Sequence, residues 1–247
     1  MLSPSLRRLL GLVLSGEPFS RLALGGSWGS LLFDPLSVLM GLLIAGISLL
    51  VRIYSVRYMA EEAGYTRFFV LLDLMTAALL IMVAAGDLIT LFLYWELMAI
   101  FSTVVVWCGG TPAARAAGIR YAIMHLLGGV ILKVGIEGVV IHTGSVDIQP
   151  MLATNLDTWL ILIGILINAA APPVSAWLSD AYPESSPTGS VFLSAFTTKT
   201  AVLALILLFP GEPVLIGIGL FMVMYGIIYA LLENNIRRIL AYSVVNQ

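Results

Sequence analysis

The sequence predicts an all-α, polytopic membrane protein with about seven to eight transmembrane helices, and three observations carry this prediction. Hydrophobic residues make up 60% of the 247-residue chain, charged residues only 11%, and mean hydropathy is +1.03. Soluble domains are about 45–50% apolar and about 25% charged. The apolar runs are long and continuous, as spanning helices of about 20 residues require. The net charge of −2 provides no basic surface for nucleic acid.

The order of the spans follows from the apolar runs and the arginines between them. We expect residues 1–30 to form an interfacial or poorly defined segment and residues 31–247 to form the membrane domain. From residue 52 onward, arginines cluster at alternate loops and the span ends beside them. The positive-inside rule therefore predicts that these loops lie in the cytoplasm, and we expect a multi-pass protein of the cell's inner membrane. The spans are predicted at 33–54, 67–84, 88–108, 116–141, 158–178, 189–209 and 213–233, and an eighth begins near 236.

Two consecutive prolines interrupt the predicted span at 158–178. Pro172 and Pro173 each lack a backbone donor and clash with the preceding turn of a helix. Carbonyls freed at membrane depth are tolerated only where they are buried in protein or line a wet cavity. An ordinary proline kink is one interpretation. We favour a broken helix, a recurrent feature of ion-transporting folds.

Four ionisable side chains stand out inside predicted spans, where a central charge costs about 2.5–3.5 kcal/mol. They are Glu96, Lys133, Glu137 and Lys199. Lys133 and Glu137 are one helical turn apart, and the same spacing extends back to His125. This stripe is typical of a proton relay, but a self-neutralising pair beside an ordinary core histidine is equally open. Lys199 requires a partner from another helix, with Glu96 and Glu137 as the candidates.

Other kinds of chemistry have little support in this sequence. Cys108 is the single cysteine, and two histidines are too few for a convincing metal cluster. We find no nucleophile paired with a base and no glycine-rich phosphate loop. We therefore expect no catalytic site, no metal and no cofactor in this chain, so any enzymatic activity would belong to a larger complex.

Six segments form an ordered series along residues 31–247. They are 33–37 (FDPLS), 94–97 (YWEL), 120–121 (RY), 171–183 (APPVSAWLSDAYP), 194–199 (SAFTTK) and 237–243 (RRILAYS). Together they resemble the motifs of the antiporter-like membrane subunits found in Mrp-type cation/proton antiporters, respiratory complex I and membrane-bound hydrogenases. The pattern is most similar to the D-type subunit of Mrp antiporters.

The resemblance implies a fold and a set of roles. The family fold is a pair of inverted five-helix repeats, each with one broken helix, and this chain would hold the first repeat and the start of the second. Glu96 matches the family's key glutamate, and Lys199 matches its central lysine. Asn168 stands where the family usually has a lysine, and asparagine cannot change charge. Either Lys133 takes over as the partner of Glu96, or proton conduction differs here.

The resemblance also implies a function. We expect an ion-translocating subunit of a multi-subunit cation/proton antiporter or redox-driven pump, moving protons and exchanging sodium. The alternative is a truncated scaffold subunit without its own transport. The expected partners are other membrane subunits, a chain supplying the second repeat, and the lipid bilayer, with no nucleic acid.

Overall fold

Helices dominate the architecture, as predicted. The computed structural model describes residues 20–24, 29–60 and 64–247. Six of the helices in this part of the chain are long and apolar enough to cross a membrane, which confirms the all-α, polytopic prediction. The helices are α1 (Pro35–Tyr58), α2 (Tyr65–Val83), α3 (Leu88–Trp107), α4 (Pro112–Thr143), α5 (Leu156–Asn168), α6 (Ala176–Glu184), α7 (Pro187–Leu208), α8 (Val214–Leu232) and α9 (Ile236–Asn246).

Local side-chain caps decide where several helices begin. The Asp34 carboxylate accepts a hydrogen bond from the backbone N–H of Ser37, whose hydroxyl in turn accepts from the backbone N–H of Asp34. Asp87 caps α3 by accepting from the N–H of Thr90 at 2.7 Å. Such caps satisfy backbone donors that the first helical turn leaves without partners. These aspartates therefore mark helix starts.

Helix α1 is longer than the predicted span 33–54. It continues to Tyr58, so Arg52 and Arg57 both lie in the helix and not in a loop. Arg52 forms an ion pair with Asp73 of α2. The last part of α1 can remain helical for two reasons. Arginine has a good helix propensity, and its long side chain reaches a carboxylate on a neighbouring helix.

The break in the predicted fifth span is present. Helix α5 ends at Asn168, and α6 begins only at Ala176, so residues 169–175 form a non-helical linker that holds both prolines. Ala170 in this linker has a φ of 59°, a left-handed conformation that is uncommon for residues with a side chain. Ala169, Ala170 and Ala171 of the linker are buried in protein, whereas Pro173 is exposed. The broken-helix interpretation is therefore confirmed.

A short antiparallel hairpin precedes α1, which the apolar pattern did not predict. Strands β1 (Ser20–Ala23) and β2 (Ser30–Phe33) pair with each other. The hairpin is held by the loops at one end of the bundle: Arg21 pairs with Asp147, and the hydroxyl of Ser30 donates to Asp87 at 2.8 Å. Because these contacts come from distant loops, periodicity could not reveal them. Most of the predicted segment 1–30 lies outside the described residues.

Candidate functional site

Glu96 lies at the contact between α3 and α4, directly against the backbone of Gly129. A Cβ atom at position 129 would overlap the Glu96 carboxylate, so glycine is what leaves room for this acid. The Oε1 atom of Glu96 is buried and has no hydrogen-bond partner among the described residues. A buried carboxylate oxygen without a partner is costly, so this atom requires a proton or an added hydrogen-bond donor.

His125 lies one turn of α4 before Gly129, in an aromatic enclosure. Its ring stacks on Tyr121 at a centroid distance of 4.1 Å and meets Trp177 edge-on at 4.8 Å. The residue is only 1% exposed, and neither ring nitrogen has a hydrogen-bond partner in the part of the chain that the structure describes. The ring is therefore positioned by packing, and both nitrogens keep their capacity to donate or accept.

Asn168 is the last residue of α5 and occupies the other side of the same stretch of α4. Its side chain is buried, and neither amide atom has a hydrogen-bond partner within residues 20–24, 29–60 and 64–247. The Nδ2 atom lies 3.2 Å from the position that a Cβ atom would take at Gly128. Because Gly128 and Gly129 are adjacent, Asn168 and Glu96 flank one turn of α4. The amide can donate and accept hydrogen bonds but cannot exchange charge.

The linker that follows α5 also contributes polar groups near this turn of α4. Pro172 and Pro173 lie in the linker that follows Asn168. The indole Nε1 of Trp177 donates to the carbonyl oxygen of Ile167 at 3.1 Å, which satisfies one acceptor near the end of α5. The Ser175 hydroxyl is buried and has no partner among the described residues. The linker thus adds one further buried polar atom that lacks a partner in the described part of the chain.

Lys199 of α7 lines a cavity of about 700 Å³. Its ammonium group lies 3.5 Å from the Thr198 hydroxyl, and within the described residues no carboxylate approaches it to 4 Å. Leu166 and Ala169, on either side of Asn168, line the same cavity. The structure therefore places Lys199 next to the helix break, but not in an ion pair with Glu96 or Glu137.

Lys133 and Glu137 form an ion pair with each other on α4. Their side chains are 42% and 59% exposed, and the Lys133 ammonium lies 5.8 Å from the centre of the Phe92 ring. Successive positions four apart drift by about 40° around a helix axis. The stripe that begins at buried His125 has therefore turned to the outer surface by Glu137. In this structure Lys133 does not pair with Glu96.

One ion pair near the site was missed by the sequence analysis. The Arg120 guanidinium donates two hydrogen bonds to the Asp180 carboxylate, at 2.5 and 2.9 Å, and so ties α4 to α6 beyond the break. Both residues lie in the quoted motifs, but their separation of 60 positions gives no signal that they meet.

Within the described residues, no group of three or more histidine, cysteine, aspartate or glutamate side chains could hold a metal ion.

Comparisons with known proteins agree on the fold and the family. The family described as NADH:quinone oxidoreductase/Mrp antiporter, transmembrane, matches residues 85–247, and the family described as complex I chain 5 N-terminus matches residues 28–69. A probable inorganic carbon transporter subunit, DabB1 of Halothiobacillus neapolitanus, is 31% identical over 91% of this chain and 44% of its own length. The chloroplastic NAD(P)H-quinone oxidoreductase subunit 5 of Poa pratensis is 29% identical over 87% of this chain and 34% of its own.

Two solved structures share the architecture. A chain of the Mrp complex from a Dietzia species superposes with a TM-score of 0.83 at 25% identity, covering 98% of this chain and 49% of its own. A chain of the archaeal membrane-bound sulfane sulfur reductase gives a TM-score of 0.78 at 24% identity over 96% of this chain and 53% of its own, and supports the fold alone. This chain spans half or less of the curated relatives that it matches. The ordered motifs, the broken helix and these matches show that the chain belongs to the NADH:quinone oxidoreductase/Mrp antiporter family of membrane subunits.

Proposed function

We propose that this chain is an ion-translocating subunit of a multi-subunit cation/proton antiporter or a related redox-driven pump. The observation that carries the proposal is one cluster of buried polar groups without partners among the described residues. Glu96 and Asn168 flank α4 at Gly129 and Gly128, and His125 lies one turn earlier on α4. Lys199 lines a cavity beside the end of α5. Intramembrane ionisable groups of this kind mark ion or proton pathways.

The proposed roles follow from what each group can do. Glu96 and Lys199 carry the charge changes, since a carboxylate and an ammonium can each gain or lose a proton. His125 passes protons between them, and Asn168 orders hydrogen bonds along the path without changing its own charge. The buried Ser175 hydroxyl at the break provides a further hydrogen-bonding position.

The assembly is also part of the proposal. The protein works in the cell's inner membrane beside other membrane subunits, and a further stretch of protein supplies the second five-helix repeat. Support comes from the relatives, which are about twice as long or longer, and from the multi-subunit complexes in which the two solved structures occur. Protons are the proposed ion, and sodium is the proposed counter-ion.

Transport by reconstituted complex tests these roles. Glu96→Gln and Lys199→Met should each abolish cation-dependent proton movement in vesicles, because each removes one charge-changing group. Asp73→Asn is the matched control: it makes a similar carboxylate-to-amide change at an exposed ion pair and should leave transport unchanged. Proton movement at the original rate in Glu96→Gln and Lys199→Met would contradict the proposal. Replacing sodium with potassium tests the counter-ion.

A scaffold role is the second candidate, since two observations favour it. Asn168 cannot titrate, and Lys133 and Glu137 neutralise each other instead of serving Glu96. In a scaffold, the Glu96→Gln and Lys199→Met variants would lower the amount of assembled complex while the complex that does form transports normally. Quantifying the complex in the same vesicles therefore separates the two functions.

A further inference from the structure

A basic cleft lies between three helix ends, away from the buried polar cluster. It measures about 350 Å³ and is lined by Arg67 at the start of α2, Trp107 at the end of α3, and Arg115 and Ile119 near the start of α4. We propose that this cleft binds the phosphate headgroup of an anionic membrane phospholipid. The proposal is independent of ion translocation.

The cleft has the charge that a phosphate group requires. Neither Arg67 nor Arg115 has a carboxylate within 4 Å among the described residues, in contrast to Arg52 and Arg120, which are both paired. The first turns of α2 and α4 contain no acidic residue; Glu61 and Glu62, which precede α2 in the sequence, lie outside the described residues. Two guanidinium groups on one small cleft repel each other, and an anion between them relieves this repulsion. Guanidinium groups also match phosphate oxygens in geometry.

The aromatic wall of the cleft is fixed in place. The indole Nε1 of Trp107 donates to the carbonyl oxygen of Arg115 at 3.3 Å. The same ring lies on Gly118, where any Cβ atom would overlap it. The end of α3 and the start of α4 therefore pack together around this tryptophan. Because Trp107 is still 38% exposed, one part of the ring remains available to a bound molecule.

The position of the cleft favours a lipid over free phosphate. Tryptophan is enriched at the level of the headgroups, and basic pockets between spanning helices bind anionic headgroups. Ile119 and Ile123 follow on the same side of α4, one turn apart, and are 53% and 58% exposed. They offer an apolar surface for acyl chains directly below the two arginines. The positive-inside rule assigns this end to the cytoplasmic leaflet, which carries anionic lipids.

Lipid titration of the detergent-purified full chain, with any subunits that co-purify, tests the site. The probes are phosphatidylglycerol, phosphatidylcholine and inorganic phosphate, and native mass spectrometry counts the bound molecules. We expect Arg67→Gln/Arg115→Gln to weaken phosphatidylglycerol binding at least tenfold. Arg57→Gln, an arginine at the same end of the bundle but outside the cleft, should leave the binding unchanged. Arg67→Lys/Arg115→Lys should bind phosphatidylglycerol with intermediate affinity, because the charge is kept and the bidentate geometry is lost.

Three results would overturn the proposal. The first is equal phosphatidylglycerol binding by the Arg67→Gln/Arg115→Gln and Arg57→Gln variants, which would show general attraction to the basic end. The second is displacement of the lipid by an equal concentration of inorganic phosphate. The third is equally tight binding of phosphatidylcholine. If Arg67→Gln/Arg115→Gln fails to purify as folded protein, the lysine variant provides the same comparison.

Discussion

The α4–α5 contact and helix α8 are both rich in glycine, yet the glycines do different things in the two regions. At Gly135 and Gly164, a Cβ atom would approach backbone atoms of the facing helix to 2.7 Å. At Gly217 and Gly219 of α8, a Cβ atom would meet nothing within 4 Å. Only 6% of the most apolar stretch of α8 is buried in this chain. Its third glycine, Gly226, differs from these two, since a Cβ atom there would meet the backbone of Asn246 in α9 at 2.7 Å.

This difference shows what glycine contributes near the polar cluster. Small residues let spanning helices approach until their backbones touch, and on α4 the same approach brings Asn168 and Glu96 to Gly128 and Gly129. The packing that joins the helices therefore also positions the candidate site. Gly217 and Gly219 of α8 instead lie on a surface that is open to lipid or to further protein.

The largest expected effect comes from filling the backbone contact. Gly164→Ala puts a methyl group against the N–H of Leu132 and the carbonyl oxygen of Gly128, neither of which can move alone. We expect the free energy of unfolding to fall by about 3 kcal/mol, the upper part of the range for overpacking. Denaturant or thermal unfolding in detergent measures this loss. An unfolding midpoint like that of the unaltered chain would show that α4 and α5 are not in close contact.

Gly129→Ala should reduce transport more than it reduces stability. It overlaps the Glu96 carboxylate, which is the end of a movable side chain, so we expect a smaller cost of about 1–2 kcal/mol. If Glu96 carries protons, transport should fall by far more than the amount of folded protein does. Proton movement per assembled complex is the measurement, with Gly219→Ala as the matched glycine-to-alanine control. A parallel fall in transport and assembly would assign Gly129 a packing role only.

The outer surface of α4 gives a third test. Replacing Lys133 with leucine leaves Glu137 without its partner inside a span, and replacing Glu137 with leucine has the converse effect. The double replacement removes both charges, so we expect it to be more stable than either single variant. Because a side chain exposed inside a span faces lipid or further protein instead of water, we expect the coupling to exceed the roughly 1 kcal/mol that exposed pairs reach in water. A double-mutant cycle measures it, and additive losses would argue that each residue contacts something other than its partner.

The smallest effect is expected in α8. Gly217→Ala has open space around it, and alanine favours a helix over glycine by roughly 0.5–1 kcal/mol. We therefore expect unchanged or slightly higher stability for the isolated chain. The same variant measured in the assembled complex extends the comparison: a loss seen only there would reveal that another helix packs on this surface.

Much of this architecture could be predicted because it depends on residues close together in the chain. Apolar runs located the spans, and Pro172 and Pro173 located the break. The candidate site was less predictable. The spacing placed His125 and Lys133 on one stripe of α4. It could not show that His125 is buried in an aromatic enclosure while Lys133 faces outward.

By itself, the sequence determined a polytopic membrane protein with one broken helix and a few ionisable groups at membrane depth. Hydropathy and proline act through the chain's own backbone, so their effects hold in any packing. The tertiary structure decided which polar groups meet: Glu96 against Gly129, Asn168 against Gly128, Arg120 with Asp180. Those partners come from other helices, and helix rotation and distance of approach, which no local pattern encodes, set which of them touch.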